Sequence, residues 1–188
     1  QIAKTSNGFE VETDNGKIKC KRVIVANGHL NHSTFDYLPL TYTKGDVLTI
    51  YAPEIEGTDV INKGLFILPI DGGFHRAGST YDWSDRSYEP SQEARIELEE
   101  KLKNTLHCSF KIEDHQSGIR PTVGDRRPLL GEHPEQKDLF IFNGLGAKGV
   151  MLAPLYSEQL VNHIFEGTEI HPEVDIKRYK KHYGNSKN

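Results

Sequence analysis

The chain has 188 residues, 36% of them hydrophobic and 27% charged, and a net charge of −4. This is the composition of an ordinary globular protein with room for one sizeable core or two small lobes, and it lacks the basic excess that draws a chain to nucleic acid or an anionic membrane. Two cysteines, Cys20 and Cys108, without C-x-x-C spacing argue against a disulfide framework and point to a reducing compartment, the cytoplasm; no apolar run approaches the roughly 18 residues that span a bilayer.

In chain order, FEVET at 9–13 alternates apolar and polar residues, DNG at 14–16 supplies a turn and KIKCK alternates again, which predicts a β-hairpin over 9–21. RVIVANG at 22–28 holds a short continuous apolar run ending at a glycine, the pattern of a strand buried on both faces. Strands are expected over 40–52 and 59–70, with DGG at 71–73 turning the chain into FHRAGSTYDW, so this stretch reads as an antiparallel meander. From Ser91 to Leu106, Ala94, Leu98, Leu102 and Leu106 recur every fourth residue, which predicts a helix with Ser91 as N-cap and Glu93 and Arg95 outward. FKIEDHQSGIRP is expected to return as a strand ending at Pro121, and Leu139 to Asn143 forms another. A second helix is predicted from Pro154 to Phe165, carrying Leu155, Leu160, Val161 and Ile164 and stopped by Gly167. The C-terminal residues, with Lys177, Arg178, Lys180, Lys181 and Lys187, read as a frayed polar tail. The fold class is α+β: a mixed, largely antiparallel sheet with helices on one face.

The stretch LFIFNGLGAKGVMLAP, residues 139–154, contains Gly144-Leu145-Gly146-Ala147-Lys148-Gly149, a G-x-G-x-x-G, and an acidic residue about twenty positions on, Glu169. A Rossmann unit of roughly 30 residues needs a second, parallel strand after the helix. The remainder after Gly167 holds no buried-strand run, so Glu169 is a chance match. Val150 after Gly149 excludes a Walker loop. Two readings stay open: a glycine-rich turn that merely lets a strand enter a helix, or a helix N-terminus made approachable to an electron-rich or anionic group.

Residues 118–167 carry a more specific signal. Gly118-Ile119-Arg120-Pro121, then Asp125-Arg126-Arg127-Pro128-Leu129-Leu130-Gly131, then a strand, the Gly144 to Gly149 loop and Val150-Met151-Leu152-Ala153-Pro154 occur in order. This arrangement resembles the C-terminal signature of flavoenzymes of the D-amino-acid oxidase superfamily, most closely the glycine oxidase and sarcosine oxidase branch with the oxidase domain of a bacterial tRNA-modifying enzyme. VIVANG is similar to the family's strand end near the cofactor, and KGDVL to the segment opening its substrate domain. The resemblance implies a cofactor, FAD, and a division into residues 1–37 of an FAD-binding domain, a substrate domain at 38–116 and the C-terminal part of the FAD-binding domain at 117–188. The family's own dinucleotide fingerprint would precede Gln1, so the chain is expected to be the C-terminal part of a larger enzyme, inactive alone, with the N-terminal FAD-binding segment as its partner.

The resemblance gives Arg120 the role of holding a substrate carboxylate over the flavin, a task that suits a planar guanidinium fork. It brings Gly144, Gly146, Ala147, Lys148, Gly149, Val150 and Met151 to the flavin ring, where the positive end of the following helix would favour electron uptake. Lys148 adds a charge there or is a solvated loop lysine. Ala26, Asn27 and Gly28 are expected near the phosphate-ribose portion, where only a small backbone fits. Phe66 stands where the glycine oxidase pattern has a tyrosine, and Ala147 where it has an arginine, so a substrate identical to glycine is not expected. His75, Tyr81 and Trp83 line the pocket or belong to the core.

The implied activity is FAD-dependent oxidation of a small carboxylated amine or amino acid. Alternatives are an FAD-dependent 2-hydroxy-acid dehydrogenase, an oxidase acting on a tRNA wobble position, or a non-catalytic binding module. No metal is expected, since only His29 and His32 of the nine histidines lie close in sequence without a third ligand. Neither membrane nor nucleic acid is an expected partner.

Overall fold

The structure is a computed structural model and describes residues 1–30 and 33–185. Its strands are β1 (Ile2–Thr5), β2 (Gly8–Thr13), β3 (Gly16–Cys20), β4 (Val23–Val25), β5 (Leu40–Tyr51), β6 (Ile61–Asn62), β7 (Phe66–Pro69), β8 (Phe74–Gly78), β9 (Lys111–Val123), β10 (Leu129–Glu132) and β11 (Leu139–Asn143). The α-helices are α1 (Gln92–Thr105), α2 (Gly149–Glu166) and α3 (Lys180–Asn185). Two compact units result, residues 1–41 with 121–188 and residues 42–120, against the expected inner limits of 38 and 116.

In the first unit the expected hairpin forms as β2 and β3, with Thr13 paired to Gly16 across the turn. β1, unpredicted because IAKT carries only one large apolar residue, adds to β2 antiparallel. A second sheet has the order β10-β11-β4, with β11 antiparallel to β10 and parallel to β4. β4 therefore lies at an edge, and Ile24 is 46% exposed, so the expectation of a strand buried on both faces fails. Phe9, Val25, Phe35, Leu129, Leu139 and Ile141 close the core of this unit.

Two further expectations are corrected here. α2 begins at Gly149 and runs through Pro154, because the glycines enter helical geometry five residues before the proline; only the bond that Pro154 cannot donate is lost from the ladder. Gly167 caps the helix in the left-handed conformation, its N–H donating to the carbonyl of His163. The C-terminus is not frayed as far as Asn185. Ile176 is buried, and Arg178 donates to Asp125 at 3.1 Å and to the carbonyls of Asp175, Arg127 and Pro128 at 2.9–3.1 Å. Tyr179 donates to the same Asp125 carboxylate at 2.8 Å. Lys187 and His32 lie outside the described residues.

The second unit holds a five-stranded sheet of order β6-β7-β8-β5-β9. The expected strand over 59–70 is instead the short hairpin β6–β7, broken at Gly64 with φ 73°. β9 does not stop at Pro121; as the edge strand it can carry a residue without an N–H. α1 forms as expected, with Ser91 Oγ accepting from the N–H of Ala94 at 3.1 Å. Leu98 and Leu102 pack on Leu48, Ile50, Ile67 and Ala77 of the sheet.

A buried lysine fixes the segment that joins β8 to α1. The ammonium of Lys44 donates to Asp85 at 2.5 Å, to Ser87 Oγ at 3.2 Å and to the carbonyl of Glu89, which uses all three of its protons. The hydrogen bond from Lys44, followed by those from the Ser87 N–H and hydroxyl, pushes the Asp85 carboxyl down to about 2.

Leu98→Ala is expected to cost about 2–5 kcal/mol in urea unfolding, and Ile96→Ala, half-exposed on the outer side of α1, under about 1 kcal/mol. Lys44→Met should destabilise more than Lys101→Met, which removes only an exposed helix pair with Glu97. Because the Asp85 pKa is depressed in the fold, its contribution is complete above the ordinary carboxylate pKa of about 3.9 and disappears as pH falls through about 2. The gap between wild type and Lys44→Met should narrow over that window.

Candidate functional site

β5 sorts the polar groups of the second unit by its pleat, since alternate side chains point to opposite faces. Asp46 belongs to the face that carries α1. Its Oδ2 accepts from the backbone N–H of Ser91 at 2.9 Å and lies 2.9 Å from Nε2 of His115. Gly45 belongs to the other face, and a Cβ there would lie 1.8 Å from Nη2 of Arg120. The glycine is what leaves space for the guanidinium.

Arg120 is half-buried. Nη1 donates to the carbonyl of Thr80 at 3.3 Å, and the guanidinium stacks on the ring of Tyr81 at 4.9 Å. Among the described residues it forms no ion pair. Burial lowers its pKa, while the negative potential of Tyr81 and Asp46 opposes that shift. A guanidinium so placed stays charged and retains donors for a carboxylate.

The other proposed pocket residues separate. Phe66 shares a rung with Gly78, which is paired in turn with Val47, on the face of Gly45. His75 points to the opposite face and is buried, with Nδ1 lacking a hydrogen-bond partner, so it does not line the site. Tyr81 and Trp83 are 60% and 63% exposed and do not belong to the core.

In the first unit the loop after β11 is built around Asn143, which is buried. Its Oδ1 accepts from the N–H of Gly144 at 2.8 Å and its Nδ2 donates to the carbonyl of Gly28 at 2.7 Å. One amide thus brings together the two glycine segments that sequence reasoning singled out separately. Gly144 and Gly146 have φ of 71° and 56°, and a Cβ on Gly144 would meet Val123 at 2.7 Å. At Gly28 a Cβ would meet nothing within 4 Å, so its φ of 64°, not crowding, demands glycine.

Gly149 differs from these. It is helical, with φ −54°, and a Cβ would touch only Leu145, at 3.7 Å. Nothing in the surrounding protein requires a glycine there. The following Val150 and Met151 are 97% and 68% exposed at the first turn of α2, where backbone N–H groups lack partners within the helix. Ala147 and Lys148 are exposed, as is Ala26, and Asn27 donates to the carbonyl of Leu30. An open helix start with bare backbone and apolar side chains suits the edge of a flat, electron-rich ring, and Gly146, Gly149, Val150 and Met151 could hold it.

Glu169 follows the far end of α2. Eighteen helical residues at about 1.5 Å each put it more than 20 Å from the loop, and no further strand follows β11 among the described residues. Among the described residues no three His, Cys, Asp or Glu converge in a way that could hold a metal ion. No helix is long and apolar enough to cross a membrane. Asn143, Gly45, Asp46 and Thr80 were not foreseen as site residues, since single polar or glycine residues at strand positions carry no motif.

The chain is similar to known proteins over most of its length. The chain is 26% identical over 170 residues to a glycine oxidase of Bacillus licheniformis, covering 87% of this chain and 46% of that protein. It is also 26% identical over 177 residues to the tRNA 5-methylaminomethyl-2-thiouridine biosynthesis bifunctional protein of Marinobacter nauticus, covering 84% of this chain and 28% of that protein. The crystal structure of glycine oxidase from Geobacillus kaustophilus superposes with a TM-score of 0.74 at 26% identity, over 95% of this chain and 50% of that one. The chain thus spans about half or less of the length of these relatives. The family model for FAD dependent oxidoreductases of the D-amino-acid oxidase type matches residues 1–162, and the chain belongs to that family.

Proposed function

We propose that this chain provides the substrate-anchoring and flavin-ring portions of an enzyme that oxidises a small carboxylated amine or amino acid. The observation that carries this is Arg120: a half-buried guanidinium without an ion pair among the described residues, given its space by Gly45 and braced on one face by Tyr81. Such a group is costly to bury alone, and a bidentate carboxylate offsets the cost.

FAD, when bound, supplies the acceptor for the hydride that leaves the carbon bearing the amine; loss of the amine proton gives an imine, which water hydrolyses. The protein's own part is alignment. Arg120 fixes the carboxylate and so restricts which hydrogen faces the acceptor. Gly146 and Gly149 let backbone approach the ring, and the start of α2 places positive potential where reduction gathers negative charge. The exposed Ile24 on edge strand β4 and the exposed apolar Val150, Met151, Leu155 and Phe165 of α2 suit packing against a further FAD-binding segment of the same protein. Equal identity to a glycine oxidase and to a tRNA biosynthesis protein supports a second reading, in which the amine is carried on tRNA. Membership of an oxidoreductase family argues against a purely non-catalytic binding module.

In the complete enzyme Arg120→Ala should lower kcat/KM for a carboxylated amine by roughly 30- to 1,000-fold, about 2–4 kcal/mol, with flavin content intact by absorbance. Activity within about threefold of wild type would make Arg120 structural. Gly45→Ala, which displaces the guanidinium without removing it, should reproduce most of that loss. Gly149→Val should lower flavin occupancy or shift the reduction potential downward, whereas Glu169→Ala should do neither; the reverse pattern would put the dinucleotide phosphates at this loop.

A further inference from the structure

The face of the second unit's sheet that holds Gly45 can be read rung by rung. Val47 pairs with Gly78 and Gly78 with Phe66; Thr49 pairs with Arg76 and Arg76 with Leu68; Tyr51 pairs with Phe74. Paired residues share a face, so Arg76 stands on the same side of the sheet as Arg120. The guanidinium of Arg120 lies over Gly45 and Arg76 is attached at the rung of Thr49, four residues on along β5, or about 13–14 Å at ~3.4 Å per residue. Arg76 carries its head on a flexible stem, so the gap between the two guanidiniums can be shorter than the backbone spacing.

Arg76 is exposed and has no hydrogen bond, ion pair or ring contact among the described residues. None of the residues that β5, β7 and β8 place on this face, from Gly45 through Tyr51, Phe66, Leu68 and Phe74 to Gly78, is an acid. Between the two cations lies the rung of Val47, Gly78 and Phe66, where a Cβ on Gly78 would meet Val47 at 3.0 Å. The face therefore alternates a cation, a small apolar dip, a second cation and an aromatic pair. Apolar surroundings strengthen each charge's attraction for an anion.

We propose that Arg76 is a second anion-binding residue and that the ligand of this face is an amine with two acidic groups joined by an aliphatic spacer. Its first carboxylate rests on Arg120, as the proposed function requires, its spacer on Val47 and Phe66, and its second acid on Arg76. Phe66 contributes contact and no hydroxyl, which fits a spacer better than a polar substituent.

Binding can be measured apart from chemistry. Linear dicarboxylates from succinate to suberate, each with the monocarboxylate of equal carbon number, are titrated calorimetrically into the complete protein and its Arg76→Gln, Arg76→Lys and Arg120→Ala variants. At least one dicarboxylate should bind roughly ten- to a hundredfold tighter than its monocarboxylate. Arg76→Gln should erase that advantage and leave the monocarboxylate Kd unchanged, and Arg76→Lys should retain part of it. The proposal is overturned if no dicarboxylate has an advantage, or if the advantage survives Arg76→Gln. Arg120→Ala should weaken both series; if it leaves monocarboxylate binding intact, it is the role of Arg120 that fails.

Discussion

The two-residue period of β5 is the constraint on which the site in residues 42–120 depends. Within three consecutive positions the strand sends an ammonium and a carboxylate, Lys44 and Asp46, to the side of α1 and leaves a bare glycine on the other. Asp46 is buried and engaged by Ser91 and His115, so it cannot occupy the fork of Arg120, yet its field still reaches that guanidinium. A direct ion pair would have satisfied Arg120 and closed it to a ligand. Shifting the register by one residue would exchange the two faces and abolish the arrangement.

The unit of residues 1–41 and 121–188 solves a different problem, the joining of distant segments at strand ends. β4 and β11 are parallel neighbours, so their C-terminal ends emerge side by side. Asn143 completes the junction with a donor to one loop and an acceptor for the other. An aspartate there could accept from Gly144 but could not donate to Gly28. The amide is the side chain that serves both.

Much of this was legible in the sequence because it rests on local pattern. The four-residue spacing in Ala94, Leu98 and Leu102 and the cap at Ser91 specify α1, and alternation specifies β2, β3 and β5. The glycine loop and Arg120 were found through motif order. What escaped notice depends on long-range pairing. β10 follows Pro128 and contains Gly131, so neither propensity nor alternation marks it until β11 pairs with it. Ile24 looked like a two-sided strand residue, but burial of an apolar run depends on neighbours that sequence does not name. The same holds for His75, which the sequence left open between pocket and core and which its register with Ile50 puts on the core side. Gly45 was read as part of a family segment, and its steric role appears only when Arg120, far along the chain, comes to lie over it.

Pro154 inside α2 carries one more consequence. It has no N–H to offer the carbonyl of Val150 four residues earlier, so that carbonyl lacks its usual partner in the ladder. A helical carbonyl points toward the C-terminus, away from the unpaired N–H groups, so the interruption leaves the row of donors at the helix start as it is. Alanine in place of Pro154 would restore one rung of the ladder without altering what that start presents.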